Sequence, residues 1–194
     1  KVLNLDPSQP KAADRDRFIL SKGHAATALY AALAWKGIIP SEELRNYGCK
    51  GSLLEEHPSP KQLGVEAATG SLGHGLAIGN GMALSCRIVG QDFRVFVLLS
   101  DGECNEGSVW EAAMFAAHKK LNNLTAIIDF NKWQATGRSH EIVQLNPLID
   151  KWRTFGWDAI EIDGHDHLTL EQELLKTNSL KPRVLVAHTI KGKG

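Results

Sequence analysis

The chain has 194 residues, enough for one domain with a sizeable core, and a single domain over 1–194 is expected. Lys plus Arg and Asp plus Glu balance at 22 each, so no overall field draws the protein to nucleic acid or an anionic membrane, and any anionic ligand must be recognised locally. The three cysteines, Cys49, Cys86 and Cys104, have no paired spacing; this argues against a disulfide framework or a thiolate metal site and favours a reducing compartment, most simply the cytoplasm.

The first residues, "KVLNLDPSQPKAADRDRF", show neither a signal-peptide pattern nor an initiator methionine, so the sequence is expected to begin partway into a longer product. "RFIL" (17–20) reads as a short strand. "AATALYAALAWKG" (25–37) places Leu29 and Leu33 at i, i+4 and stops at Gly37. It is the most apolar stretch, yet far short of the roughly 20 residues of a spanning helix, so a soluble protein is expected. "SEELRNYG" (41–48) follows Pro40 with Ser41 as the expected N-cap and two acids in its first turn. In "GLAIGNGMALSCRIVG" (75–90), Gly79, Gly81, Ala83 and Ser85 alternate with larger apolar residues, which predicts a helix whose backbone lies close to a neighbour.

Next come a strand, "FRVFVLLS" (93–100), a helix with a basic last turn, "SVWEAAMFAAHKK" (108–120), and a strand, "LTAIIDF" (124–130). The pattern closes with helix "LIDKWRTFG" (148–156), strand "WDAIEI" (157–162), helix "LTLEQELLK" (168–176) and strand "RVLVAHTI" (183–190). The middle strands are continuously apolar rather than alternating, as buried parallel strands are. Strands separated by helices imply βαβ units, hence an α/β fold with a doubly wound, mostly parallel sheet and helices on both faces. Ligands of such sheets sit outside the carboxyl ends of the strands.

At those ends the sequence places Ser21, Lys22, Gly23 and His24, then Asp101 and Gly102, then Asn131. One helix joins the second and third strands, so right-handed crossover brings Asp101 and Asn131 to the same edge of the sheet. A carboxylate and an amide carbonyl facing one point suit Mg²⁺ or Ca²⁺, and Mg²⁺ especially when phosphate oxygens and water complete the octahedron. Gly102 lets the backbone approach a phosphate, and the helix starting near Gly107 and Ser108 offers free N–H groups to the same anion. The same residues also read as ordinary loop chemistry, because Asp-Gly is a common strand-ending turn and Asn before Lys is unremarkable.

"SDGECNEGSVWEAAMFAAHKKLNNLTAIIDFNKWQATG" (100–137) resembles the thiamine-diphosphate signature, an acid-glycine pair followed about thirty positions later by asparagine. With "SKGHAATALYAALAWKG" (21–37), "EEHPSP" (55–60) and "GVEAATGSLGHGLAIGNGMA" (64–83), the chain resembles the transketolase family in motif order over nearly its whole length. The resemblance implies thiamine diphosphate and Mg²⁺ as cofactors. Asp101, Asn131 and the carbonyl of Trp133 would be the metal ligands. Gly102, Glu103, Asn131 and His24 would lie at the diphosphate, and Gly70, Ser71 and Leu72 against the rings. His24, His57 and His74 would line the reacting carbon, and Glu106 would face a partner chain.

Ser100 and His74 depart from the family, which usually has glycine and often glutamine there. His118 reads as a helix C-terminal cation, His140 as loop, "DGHDH" with His165 and His167 as a surface turn, and Lys191 as solvent-exposed. Relatives usually start earlier and end later than this sequence, so either segments lie outside it or the protein is abridged. The family's activating glutamate belongs to a pyrimidine-binding domain for which 194 residues leave no room. The expected protein is therefore the diphosphate-binding subunit of a split transketolase-like enzyme. It would pair with a pyrimidine-binding subunit, two chains of each, and act on sugars or sugar phosphates. The alternatives are another thiamine-diphosphate carbon–carbon lyase or synthase, of the deoxyxylulose-phosphate or 2-oxo acid type, and a non-catalytic assembly subunit.

Overall fold

A computed structural model describes residues 1–177 and 180–193. Five strands, β1 (Arg17–Leu20), β2 (Val95–Ser100), β3 (Leu124–Phe130), β4 (Asp158–Asp163) and β5 (Arg183–His188), form an all-parallel sheet in the order β1-β2-β3-β5-β4. The helices are α1 (Ala26–Trp35), α2 (Gly75–Ile88), α3 (Gly107–His118), α4 (Ser139–Ile142), α5 (Leu148–Thr154) and α6 (His167–Leu175). β2 and β3 are neighbours with Ser100 opposite Asp129, so the ends that carry Asp101 and Asn131 lie side by side as expected.

Helices cover both faces. α2, α3 and α5 close the larger core over Val97, Leu99, Ala126, Ile128, Val184 and Val186. On the opposite face α1 packs over Leu20, and α6 over Leu185 and Ala187, in two separate clusters. Between α1 and α6 runs an apolar groove of about 640 Å³ lined by Phe18, Leu29, Leu170 and Leu174. The thinner cover on this side leaves Leu98 and Ile127 half-buried, and β3 alternates in burial, with Thr125, Ile127 and Asp129 on the less covered face.

Trp152 has no exposed surface and anchors α5 in a cluster with Trp110 and Trp157, at ring-centroid distances of 5.2 and 4.9 Å. Two local expectations are corrected. Residues Ser41–Asn46 form a 3₁₀ helix that buries no residue, and Pro40 rather than Ser41 stands at its cap position with no side-chain cap bond. A six-residue segment without a buried face gains too little packing to repay α-helix nucleation. α4, a single turn, was not anticipated from the pattern. Among the described residues no helix is long and apolar enough to cross a membrane.

The close approach expected of α2 holds at Gly79, where a Cβ would lie 2.6 Å from Val97 Cγ2, and at Ala83, which is fully buried. It does not hold at Gly81 and Ser85, which face outward. In a helix, Gly→Ala by itself stabilises by about 1 kcal/mol. Gly81→Ala, with nothing within 4 Å of the new methyl, is expected to raise stability by up to about that amount. Gly79→Ala is expected to lower it by about 1–3 kcal/mol, because the methyl enters the packed core. Urea denaturation of the two variants checks the opposite signs.

Candidate functional site

Asp101 has no exposed surface. Its Oδ1 accepts the Gly102 N–H at 2.9 Å, and its Oδ2 accepts the Lys132 N–H at 2.9 Å and the Ser139 hydroxyl at 2.8 Å. Burial pushes its carboxyl above the ordinary value despite these three bonds, and the neighbouring charge of Asp129 adds to the rise. Among the described residues no Lys, Arg or His side chain is ion-paired with Asp101, so its charge is solvated by donors rather than by a counter-ion.

The turn after β3 is shaped around that carboxylate. Lys132, whose N–H reaches Asp101, sits at φ +68°, a left-handed conformation that costs a non-glycine residue about 1–2 kcal/mol. Asn131 Oδ1 accepts the Trp133 N–H at 2.9 Å, closing an Asx turn over Lys132. A small hairpin follows, with Gln134 N donating to Gly137 O at 2.8 Å and Ser139 N to Lys132 O at 3.0 Å. Its ladder leaves the half-exposed Trp133 with its carbonyl outside the paired bonds. Asp101 and Asn131 are thus brought to one corner, linked through the Lys132 and Trp133 N–H groups, and a carboxylate with an amide oxygen is a hard donor pair of the kind Mg²⁺ takes.

Gln134 folds back under Gly102, where a Cβ would stand 2.9 Å from Gln134 Cγ, and its buried Nε2 has no hydrogen-bond partner. A bare backbone beside an orphaned donor is suited to an anion. The α3 N-terminus is less directly placed than expected. A 3₁₀ turn, Gly102–Asn105, intervenes, and the Ser108 hydroxyl donates to Gly73 O at 2.9 Å. Glu106 is exposed at the α3 cap position.

The second wall comes from the end of β1 and the glycine-rich loop. A Cβ on Gly23 would meet Thr69 O at 2.4 Å, and one on Gly70 would meet His57 Cδ2 at 2.6 Å. Thr69 also donates to Leu20 O at 2.5 Å. This stacking brings His24 and His57 edge to face, their centroids 4.9 Å apart, both exposed beside Gly70. His74, likewise exposed, has Nδ1 3.2 Å from Ser71 O and 3.0 Å from Leu72 O. Carbonyls only accept, so Nδ1 carries the proton and Nε2 presents a lone pair. His74 therefore holds the Ser71 and Leu72 loop as well as facing outward. His165 Nε2 accepts the Ile190 N–H at 2.9 Å, tying the "DGHDH" turn to the residues after β5, and Lys191 is exposed.

Glu103, grouped from the sequence with direct diphosphate contacts, has no exposed surface and stands behind them. Its Oε1 accepts the Ser21 hydroxyl and, at 2.8 Å, the Gly73 N–H, while Oε2 accepts the Ser100 N–H at 3.3 Å. One carboxylate joins β1, the glycine loop and β2. Burial raises its pKa against those bonds. Sequence reasoning missed Ser139, Gln134 and Asp129; only Asp129 left a signal, a charge inside the apolar run "LTAIIDF". Asp129 accepts from Lys22, Thr189 and Asn131, which outweigh its own burial and hold its carboxyl below the ordinary value. Glu103→Ala would leave the Gly73 and Ser100 N–H groups without an acceptor. It is expected to cost on the order of 3 kcal/mol, read as a lowered denaturation midpoint.

The whole chain, residues 1–194, matches the family described as "Transketolase, thiamine diphosphate binding domain". It is 43% identical over 196 residues to an apulose-4-phosphate transketolase subunit from Phocaeicola vulgatus, covering 100% of this chain and 69% of that protein. To the 6-deoxy-6-sulfo-D-fructose transketolase subunit SqwG of a Clostridium species it is 43% identical over 197 residues, covering 100% of this chain and 72% of the relative. The crystal structure of transketolase from Campylobacter jejuni superposes with a TM-score of 0.90 at 31% identity, covering 96% of this chain and 31% of that one. The chain thus spans about a third of that solved transketolase chain. On its sequence and its fold alike, the chain belongs to the transketolase family, as its thiamine-diphosphate-binding domain.

Proposed function

We propose that residues 1–194 form a single diphosphate-binding domain, the N-terminal type of subunit in a split transketolase. It would transfer a two-carbon ketol unit from a ketose or ketose phosphate to an aldose acceptor. The observation that carries this reading is the buried Asp101 carboxylate, held by three donors with no ion-pair partner among the described residues, at the corner where Asn131 follows β3. Asp101, Asn131 and the Trp133 carbonyl would hold Mg²⁺. The Gly102 backbone, His24 and the orphaned Gln134 Nε2 would meet the diphosphate. Glu103 would serve it from behind, through the Gly73 loop that it anchors.

Gly70, Ser71 and Leu72 would lie against the rings. Thiamine diphosphate, when bound, supplies the electron sink for breaking and remaking a carbon–carbon bond. This chain's own part is to orient and to move protons. His24 and His57, in edge contact, would accept and return protons at sugar hydroxyls, and His74 would offer Nε2 as an acceptor. Relatives named as transketolase subunits support a partner chain. That partner would carry the pyrimidine-binding domain, with two chains of each in the complex and Glu106 at the interface between chains. The free state of Cys49, Cys86 and Cys104 supports a reducing, cytoplasmic setting.

The test is calorimetry and ketol transfer on the co-purified complex with thiamine diphosphate and Mg²⁺. Mg²⁺-dependent binding of the diphosphate is expected, with its loss in Asp101→Ala; a complex that binds none overturns the reading. A donor profile restricted to 2-oxo acids would assign a different thiamine-diphosphate reaction, and activity surviving loss of this chain would give it an assembly role instead. The pH dependence follows from Asp101. Mg²⁺ needs the ionised carboxylate, and burial raises the Asp101 pKa above 3.8, so protons compete for the site at higher pH than at an ordinary aspartate. Mg²⁺ affinity is expected to be flat near neutrality. Below the raised pKa it should fall by about tenfold per pH unit, with proton release detectable from buffers of different ionisation enthalpy.

A further inference from the structure

Asp129 lies two residues before Asn131, at the point where three strand ends meet. Lys22, from the end of β1, donates to its Oδ2, and Thr189, just after β5, donates to its Oδ1. Asn131 Nδ2 donates to Oδ2 at 3.0 Å. An amide side chain has a donor end and an acceptor end, and only the oxygen is of use to Mg²⁺. A carboxylate accepts and does not donate, so Asp129 can face only the nitrogen end of Asn131. The Trp133 N–H donates and does not accept, so at 2.9 Å it can face only the oxygen end. Two contacts on opposite sides select the same orientation, and that oxygen keeps a second lone pair for a cation.

The same cluster explains why the nearer carboxylate is not itself the ligand. Asp129 and Asp101 are close enough for each to feel the other's charge. Asp129 is already ion-paired with Lys22 and bonded to Thr189 and Asn131, whereas Asp101 has no ion-pair partner among the described residues. We infer that Asp129 is the positioning residue of the metal clamp, turning the Asn131 amide oxygen outward while Lys22 and Thr189 hold Asp129 in place. The inference rests on Asn131 being a Mg²⁺ ligand, as proposed above. It assigns to Lys22 and Thr189 a role one step removed from the metal, of the kind that commonly affects affinity by about 10–100-fold.

A purely structural prop would weaken everything equally, so the test is a double-variant cycle on Mg²⁺ affinity, measured by calorimetry on the co-purified complex with saturating thiamine diphosphate. Asp129→Leu removes the acceptor that fixes the amide, and is expected to weaken Mg²⁺ by about 10–100-fold. In an Asn131→Asp background the two ligand oxygens are equivalent and need no orienting. There the added Asp129→Leu is expected to cost much less, only the attraction of one nearby negative charge, because no amide orientation is left to lose. An equal loss in both backgrounds, or no loss in Asp129→Leu alone, overturns the inference. Should Asp129→Leu not fold, Lys22→Met carries the test, with an expected several-fold loss of Mg²⁺ affinity that is absent in the Asn131→Asp background; an unchanged affinity overturns it. A failure of the unmutated complex to bind thiamine diphosphate and Mg²⁺ would instead strike the proposed function.

Discussion

Asp101 carries its carboxylate out of solvent, with no ion-pair partner among the described residues, at the mouth of two adjacent parallel strands. A charge in that position costs several kcal/mol unless donors or a counter-ion compensate it. The surrounding chain supplies donors only: the Gly102 and Lys132 N–H groups and the Ser139 hydroxyl. To deliver the second of these, the backbone accepts a left-handed lysine, a local cost that persists because the adjacent Asx turn and hairpin leave the loop no other course. Donors stabilise the anion without neutralising it, and the proposed Mg²⁺ site rests on this difference between a solvated carboxylate and a finished salt bridge.

Around that corner the loops are fixed by contact rather than by length. Gly23 against Thr69, Gly70 against His57 and Gly75 against Ser21 are backbone approaches that a methyl group would block. Each brings a segment from a different part of the chain to the same edge of the sheet. Glu103 then ties β1, β2 and the glycine loop through one carboxylate. The result is a division of labour among four acidic groups within a short stretch of structure: Asp101 left open, Asp129 spent on Lys22, Glu103 spent on backbone, and Glu106 exposed. Identical side-chain chemistry thus serves different ends because the number of donors and the depth of burial differ.

The sheet was legible because its strands are apolar runs separated by helices of adequate length, a pattern with few competing explanations. Asp101 and Asn131 were legible for the same reason, since strand ends in a parallel sheet converge whatever the loops do. What escaped reading depends on contacts between residues remote in sequence. Ser139 belongs to a single-turn helix too short to leave a period, and its partner is 38 positions away. The bracing role of Glu103 left no mark because nothing near it in the sequence shows that Gly73 will present an N–H to it. Asp129 was visible as a charge in an apolar strand, but its meaning depends on Lys22 and Thr189, which arrive from the other ends of the chain. The 3₁₀ segment at 41–46 shows the converse, where good helix formers without a core to cover did not make an α-helix.

β5 is the last strand in the chain order and yet occupies an inner position, between β3 and β4. Its neighbours are therefore both made before it exists, and it enters between them, pairing Arg183 with Asp158 on one side and with Thr125 on the other. Thr189, directly after it, completes the ring of donors on Asp129. During synthesis, a ribosome-bound chain that has not yet extruded this strand already contains every oxygen of the corner, but lacks the brace that squares them. The proposed clamp would therefore have its full set of donors on Asp129 only once β5 has joined the sheet and brought Thr189 to it.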